Sequence, residues 1–234
     1  MLKLIQLASY WVFITANIVM AQDAGITPKN IQLEYTVTRD DKPFANVHET
    51  YVQNGTQYRI ESITKGIGVY ALFGERKLIS EGVVTDIGLR PSHFELHQGD
   101  NAKKSLITDF DWANNTLNMQ VKGEIKTAVL QKSTQDLSSY AYQFMFMHPI
   151  KDNINVSLTT GKKLNVYQYK ITERDVMLET GQVSYKTLHL TSAEGKDKKQ
   201  IWLAEDHYYL PVRYTLVDDN GATLTQTLTK LHVE

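Results

Sequence analysis

Residues 199–233 read KQIWLAEDHYYLPVRYTLVDDNGATLTQTLTKLHV. Two long alternating runs flank Asp218-Asp219-Asn220-Gly221, and a shorter run, Ile201 to Ala204, precedes them. Successive side chains of a strand point to opposite faces, so the length of the turn decides which residues share a face. A two-residue Asn220-Gly221 loop pairs Val212, Tyr214 and Leu216 with Thr229, Thr227 and Thr225, and neither face is then apolar. A three-residue loop, Asp219-Asn220-Gly221, pairs Leu216 with Leu224, Tyr214 with Gln226 and Val212 with Leu228. This register gathers most of the large residues on one face, and a one-residue slip would exchange the faces. The loop chemistry agrees: a type I turn closed by a glycine, which requires Gly221 at positive φ.

The same period of two runs back through the chain. Ile31, Leu33, Tyr35 and Val37 alternate, as do Ala45, Val47, Glu49 and Tyr51, with turns expected at Asp40 to Pro43 and at Asn54-Gly55. Further strands are expected over Tyr58 to Ile63, Arg76 to Asp86 and His93 to His97, with Gly88 to Pro91 turning the chain between the last two. Leu106 to Trp112, Leu117 to Val121 and Ile125 to Val129 continue the pattern. Past residue 154, Asn155 to Leu158, Lys163 to Lys170, Val176 to Thr180 and Val183 to Thr191 read as four more strands. Many short strands with regular turns, and no alternation with long helices, predict a mainly β chain, folded as a single antiparallel β-barrel or strongly curved sheet. No linker or internal repeat divides it, so residues 22–234 are expected to form one domain.

Two segments break the alternation. Gly66 to Gly74, GIGVYALFG, is apolar and bounded by glycines, and is expected as a short helical or loop plug packed over the sheet. The alternative is a lip over an apolar cavity, formed by Tyr70, Leu72 and Phe73. In residues 136–148, Leu137, Tyr140, Ala141, Phe144 and Met145 fall at helical spacing. A helix is expected there, started by Asp136 or Thr134, stopped before Pro149, and packed on the sheet through Leu137, Tyr140 and Phe144.

The N-terminus carries a different signal. Lys3 is followed by an uncharged, mostly apolar run from Leu4 to Met20, and Val19-Met20-Ala21 is a small-residue cleavage site. This is the pattern of a secretory signal peptide cut after Ala21, predicting a periplasmic protein with no membrane span once cut. An uncleaved anchor is the alternative. The chain has no cysteine, which excludes disulfides, thiolate metal sites and a lipid-modified leader. A formal net charge of −1, with scattered lysines, gives no basic footprint for nucleic acid.

Catalytic motifs are missing. There is no G-x-S-x-G, no phosphate-binding GxxxxGK[ST] and no H-E-x-x-H. Asp206-His207 is a local acid–base pair whose members point apart on a strand, and Asp109 and Asp111 share a strand face expected to look into water. His93 and His97 would lie one turn apart on a helix, but about 13 Å apart on a strand, too far to hold one metal ion. Trp202 is expected in the core. No metal, cofactor or catalytic group is assigned.

Gly66 to Gly74, Gly88-Leu-Arg-Pro91, Phe110-Asp-Trp112, Gln135 to Gln143, Ile201 to Asp206 and Leu210-Pro-Val-Arg213 stand in an order that resembles the DUF3108 family of exported bacterial proteins, a domain of unknown function. The resemblance implies a periplasmic, mostly β domain and supplies no catalytic residues. By general shape such a domain is similar to curved-sheet carriers of apolar cargo. Two functions follow as expectations. One is a non-enzymatic carrier of an apolar or lipid-like ligand, with Tyr70, Leu72, Phe73, Tyr140 and Phe144 as candidate ligand contacts. The other is an assembly factor acting on an envelope protein through its surface, with no cavity.

Overall fold

The hairpin around Gly221 forms in the expected register. In the computed structural model Leu216 faces Leu224 and Tyr214 faces Gln226, and Gly221 has φ 83°. The Gly221 N–H bonds to the Asp218 carbonyl, and Asp218 and Ala222 close the loop. The described residues are 27–99, 105–151, 153–192, 199–218 and 220–234. The expected signal peptide lies outside them.

Among these residues, fifteen strands make one sheet: β1 Asn30–Arg39, β2 Lys42–Asn54, β3 Gln57–Gly66, β4 Arg76–Thr85, β5 Gly88–Gln98, β6 Leu106–Asp111, β7 Thr116–Val121, β8 Glu124–Val129, β9 Gln135–Asp136, β10 Ile154–Thr159, β11 Leu164–Thr180, β12 Val183–Ser192, β13 Lys199–Ala204, β14 Leu210–Val217 and β15 Thr223–Val233. The order is β8-β7-β6-β5-β4-β3-β2-β1-β15-β14-β13-β12-β11-β10-β9. The chain walks outward from β1 to β8, crosses to the far edge at β9, and walks back until β15 pairs antiparallel with β1. Every neighbouring pair is antiparallel except β9 with β10.

The expected barrel is not closed: β8 and β9 are the two ends of the sheet and do not pair. The sheet nevertheless curls far enough for its halves to touch. Phe94, Leu78, Phe110, Leu117 and Met119 from β4 to β7 share a core with Leu137 and Leu164 from the far half. Thr159 donates to Met119 Sδ at 3.6 Å, and a Cβ on Gly161 would lie 3.2 Å from Leu106. Fully burying a side chain of this size stabilises by roughly 1.5–3 kcal/mol, against about 1 kcal/mol net for a hydrogen bond. Packing of the two leaves therefore offsets an unmade ladder. β9 spans only two residues and offers little edge to pair.

The helix is shorter than expected. α1 covers Ser139–Gln143, a 3-10 turn follows over Phe144–Phe146, and Asp136 belongs to β9. Asp136 still starts the helix: its Oδ1 accepts from the N–H groups of Ser138 and Ser139, both at 2.9 Å. Gln143 ties α1 to the β4–β5 turn, accepting from Leu89 N at 2.8 Å and donating to the Ile87 carbonyl at 2.9 Å.

Three further expectations are corrected. Gly88 to Pro91 is the start of β5, not a turn, because Thr85 already pairs with Gly88. Lys163 to Lys170 and Val176 to Thr180 are one strand, β11, in which Glu173 to Asp175 form an irregularity with Asp175 at φ 57°. The 66–74 segment is a 3-10 turn, Gly68–Phe73, but it plugs nothing: none of its residues is buried. Leu72 is 88% exposed, Val69 71% and Phe73 69%. The turn folds back so tightly that a Cβ on Gly66 would sit 2.4 Å from the Tyr70 carbonyl oxygen, which only glycine allows.

Candidate functional site

The curl leaves a groove of about 410 Å³ on the concave face. One wall comes from β1 to β4, the other from β14 and β15, and α1 with Leu137 lies across one side. The alternation decides what faces in. On β2, Val47 and Glu49 point inward, and on β3, Ser62 and Thr64 stand beside them, with Glu49 opposite Ser62 and Val47 opposite Thr64. On β4, Arg76 is opposite Thr64 and Leu78 is opposite Ser62. Tyr214, Leu216, Leu224 and Gln226, the face selected by the hairpin register, complete the far wall. Tyr35 braces the floor by donating to the Pro211 carbonyl at 3.0 Å.

Two polar groups in this groove stand out. Glu49 is 9% exposed. Burial pushes its carboxyl above the ordinary range, while Ser62 and Tyr142 beside it pull back. Among the described residues the Tyr142 hydroxyl does not reach hydrogen-bond geometry with any group. Arg76 is half-buried, and burial lowers its pKa from the ordinary value. The phenol of Tyr140 is pushed up by burial, helped by neighbouring tyrosines and by Glu49. The Tyr140 ring meets Tyr214 edge-on, with centroids 6.3 Å apart. Clustered desolvated groups on a concave apolar face are a pattern of ligand sites.

Of the five candidate contacts, the groove includes Tyr140 alone. Phe144 is 1% exposed, packed in the core with Leu188 and Leu190. Tyr70 lies against Phe44, whose ring lines the groove, with centroids 4.5 Å apart. Leu72 and Phe73 project into solvent. Glu49 and Arg76 were not singled out from the sequence. Glu49 had a signal, since it occupies an inward position between Val47 and Tyr51. Arg76 had only its phase with Leu78.

The other polar candidates do not converge. His93, Glu95 and His97 share the outer face of β5, where Glu95 accepts from or bridges both rings at 2.9 and 2.6 Å and Asp109 meets His93 at 2.7 Å. Among the described residues no group of three metal-ligating side chains is close enough to hold an ion. Asp111 binds the Asn114 turn and does not pair with Asp109. His207 is half-buried against Tyr185, and desolvation lowers its pKa despite Asp206 next to it. Trp202 is half-buried and packs against the core cluster that holds Ala204, Leu210 and Val212, with its ring stacked on His189 at 4.1 Å and Arg213 over it. A hollow of about 550 Å³ near Trp112 is edged by the exposed charges of Asp86, Arg90 and Lys132.

A single open antiparallel sheet, curled around a mixed apolar and polar groove, is therefore the class that the fold and site define. Residues 32–229 match DUF3108, a protein of unknown function, and the chain belongs to that family. None of the curated proteins compared with it matches the sequence. No helix among the described residues is long and apolar enough to cross a membrane.

Proposed function

We propose that the groove receives an apolar or lipid-like ligand, and that the protein is a non-enzymatic binding or carrier domain of the bacterial cell envelope. The observation that carries this reading is the groove itself. Its volume of about 410 Å³ falls within the range of small-molecule sites, roughly 300–1,000 Å³. Its walls are mostly apolar, from Phe44, Val47, Leu78, Leu137, Leu216 and Leu224, with a few inward polar groups to orient a ligand. The periplasmic setting rests on the Leu4 to Ala21 pattern. The test is native mass spectrometry of protein purified without detergent from a periplasmic extract. A mass excess that organic solvent removes supports the reading. An unliganded mass, together with no binding of a neutral apolar dye, refutes it.

A second reading rests on the sheet edge. β8 ends the sheet, and Ile125 and Val129 on it are 70% and 77% exposed. An open edge with exposed apolar residues can accept a strand from an envelope protein. Cross-linking from position 125 in whole cells decides this: a discrete protein adduct supports the assembly role, and its absence leaves the groove reading standing alone.

A further inference from the structure

Arg76 differs from every other arginine in the chain. Arg39 pairs with Asp218, Arg59 with Glu81 and Glu61, and Arg174 donates to the carbonyls of Ile150 and Lys151. Arg90 lies over Trp112 and Arg213 over Trp202. Arg76 has no ion pair, hydrogen bond or aromatic partner among the described residues, although it is half-buried in the groove wall. Withdrawing a guanidinium from water without a partner is costly, and its planar fork of donors matches carboxylate and phosphate oxygens. The neighbours are suited to the same task. Thr64 stands opposite it and lines the same groove, and Leu78 is next along the strand on the same face. Glu49, the acid that shares the groove, stands opposite Ser62, one inward position along from the Thr64 that faces Arg76.

We propose that Arg76 anchors the anionic head of the ligand, which is then an amphiphile with a carboxylate or phosphate at one end and an alkyl chain along the groove. This rests on the groove being a ligand site. The alkyl chain runs from Arg76 past Leu78 and Val47 toward Leu137 and the β14–β15 wall. Glu49, Ser62 and Thr64 flank this path.

The test compares laurate, dodecyl phosphate, dodecanol and inorganic phosphate in displacing the neutral dye N-phenyl-1-naphthylamine from the protein. A hydrogen bond to a charged group is worth about 1.5–3 kcal/mol, so laurate and dodecyl phosphate should bind at least about tenfold tighter than dodecanol. Arg76→Gln should abolish that preference, with an unchanged far-UV circular dichroism spectrum and urea midpoint showing that the variant is folded. Arg76→Lys should keep part of it. Equal binding of laurate and dodecanol by the unaltered protein overturns the role of Arg76, and needs no variant. A preference that survives in Arg76→Gln does the same. Inorganic phosphate binding as tightly as dodecyl phosphate would make this a free-anion site and overturn the amphiphile. Failure of all three alkyl compounds to bind would instead refute the groove as a ligand site.

Discussion

Ser80 on β4 donates a 2.6 Å hydrogen bond to the buried carboxylate of Asp136 on β9, joining the two halves of the sheet order. Ser80 and Asp136 are both 0% exposed. Tyr58 touches Ser80 at 3.2 Å, and Ser139 Oγ accepts from the Asp136 N–H at 2.9 Å. One carboxyl thus starts the helix, ties it to β4 and holds the curl closed. Burial pushes its pKa up, against the pull of these bonds. Asp136→Ala leaves several buried donors without acceptors and should cost about 2–4 kcal/mol in urea unfolding. Asp136→Asn keeps the acceptor for both N–H groups, and Ser80 can accept from the new amide. It should stay within about 1 kcal/mol of the natural protein.

Glu49 should make stability fall with rising pH. Burial raises its folded pKa above the ordinary carboxylate value of about 4.3. Between those two values the folded state holds a proton that the unfolded state has released, so stability is lost as pH rises through the folded pKa. Below about pH 4 the contribution is complete. Glu49→Gln should flatten the decline that sets in above about pH 4, read from urea midpoints at constant ionic strength. A slope as steep in the variant as in the natural protein would remove Glu49 as its source.

The His93 ring should titrate above the usual imidazole value of about 6.5. Burial opposes its protonated form, but the bonds to Glu95 and Asp109 outweigh that. In Glu95→Gln the His93 pKa should drop, measured by NMR of the ring carbons. Global stability should change by less than about 1 kcal/mol, because these groups are partly exposed.

Gly221→Val should destabilise by about 1 kcal/mol or more, since a β-branched residue at φ 83° is strained. The effect should appear in thermal unfolding as a lowered Tm with no change in the groove's dye binding. By contrast, Leu72→Ser and Phe73→Ser should leave stability within about 0.5 kcal/mol, because both side chains are exposed.

The β elements were legible because strand alternation is a local signal. The Leu216–Leu224 register, for example, followed from matching two faces across one turn. Closure was not legible, because the meeting of Phe94 with Leu137 and Leu164 depends on how far the sheet curls, and no local pattern encodes that. The 66–74 segment misled for a physical reason. Its apolar residues resemble a core run, yet Gly66 lets the backbone fold back on itself, so Leu72 and Phe73 have nothing to pack against. Glu173 to Asp175 resembled a turn because charged residues favour turns, whereas β11 absorbs them as an irregularity while its pairing with β12 continues on both sides. The site was half legible: Tyr140 followed from helical spacing, while the lack of a partner for Arg76 among the described residues is a property of three-dimensional surroundings.

The β1–β15 ladder sits in the middle of the sheet order, yet it is made from opposite ends of the described sequence, with Ile31 against Val233. Each leaf can assemble from near neighbours, but the seam between them must wait until β15 has been synthesised. Long-range pairing of this kind slows folding. Until it zips, β1 and β14 are bare templates for intermolecular strand exchange. A chain stopped before Thr223 is expected to accumulate as aggregates of two competent halves, and adding the missing strand as a free peptide during refolding should restore soluble, folded protein.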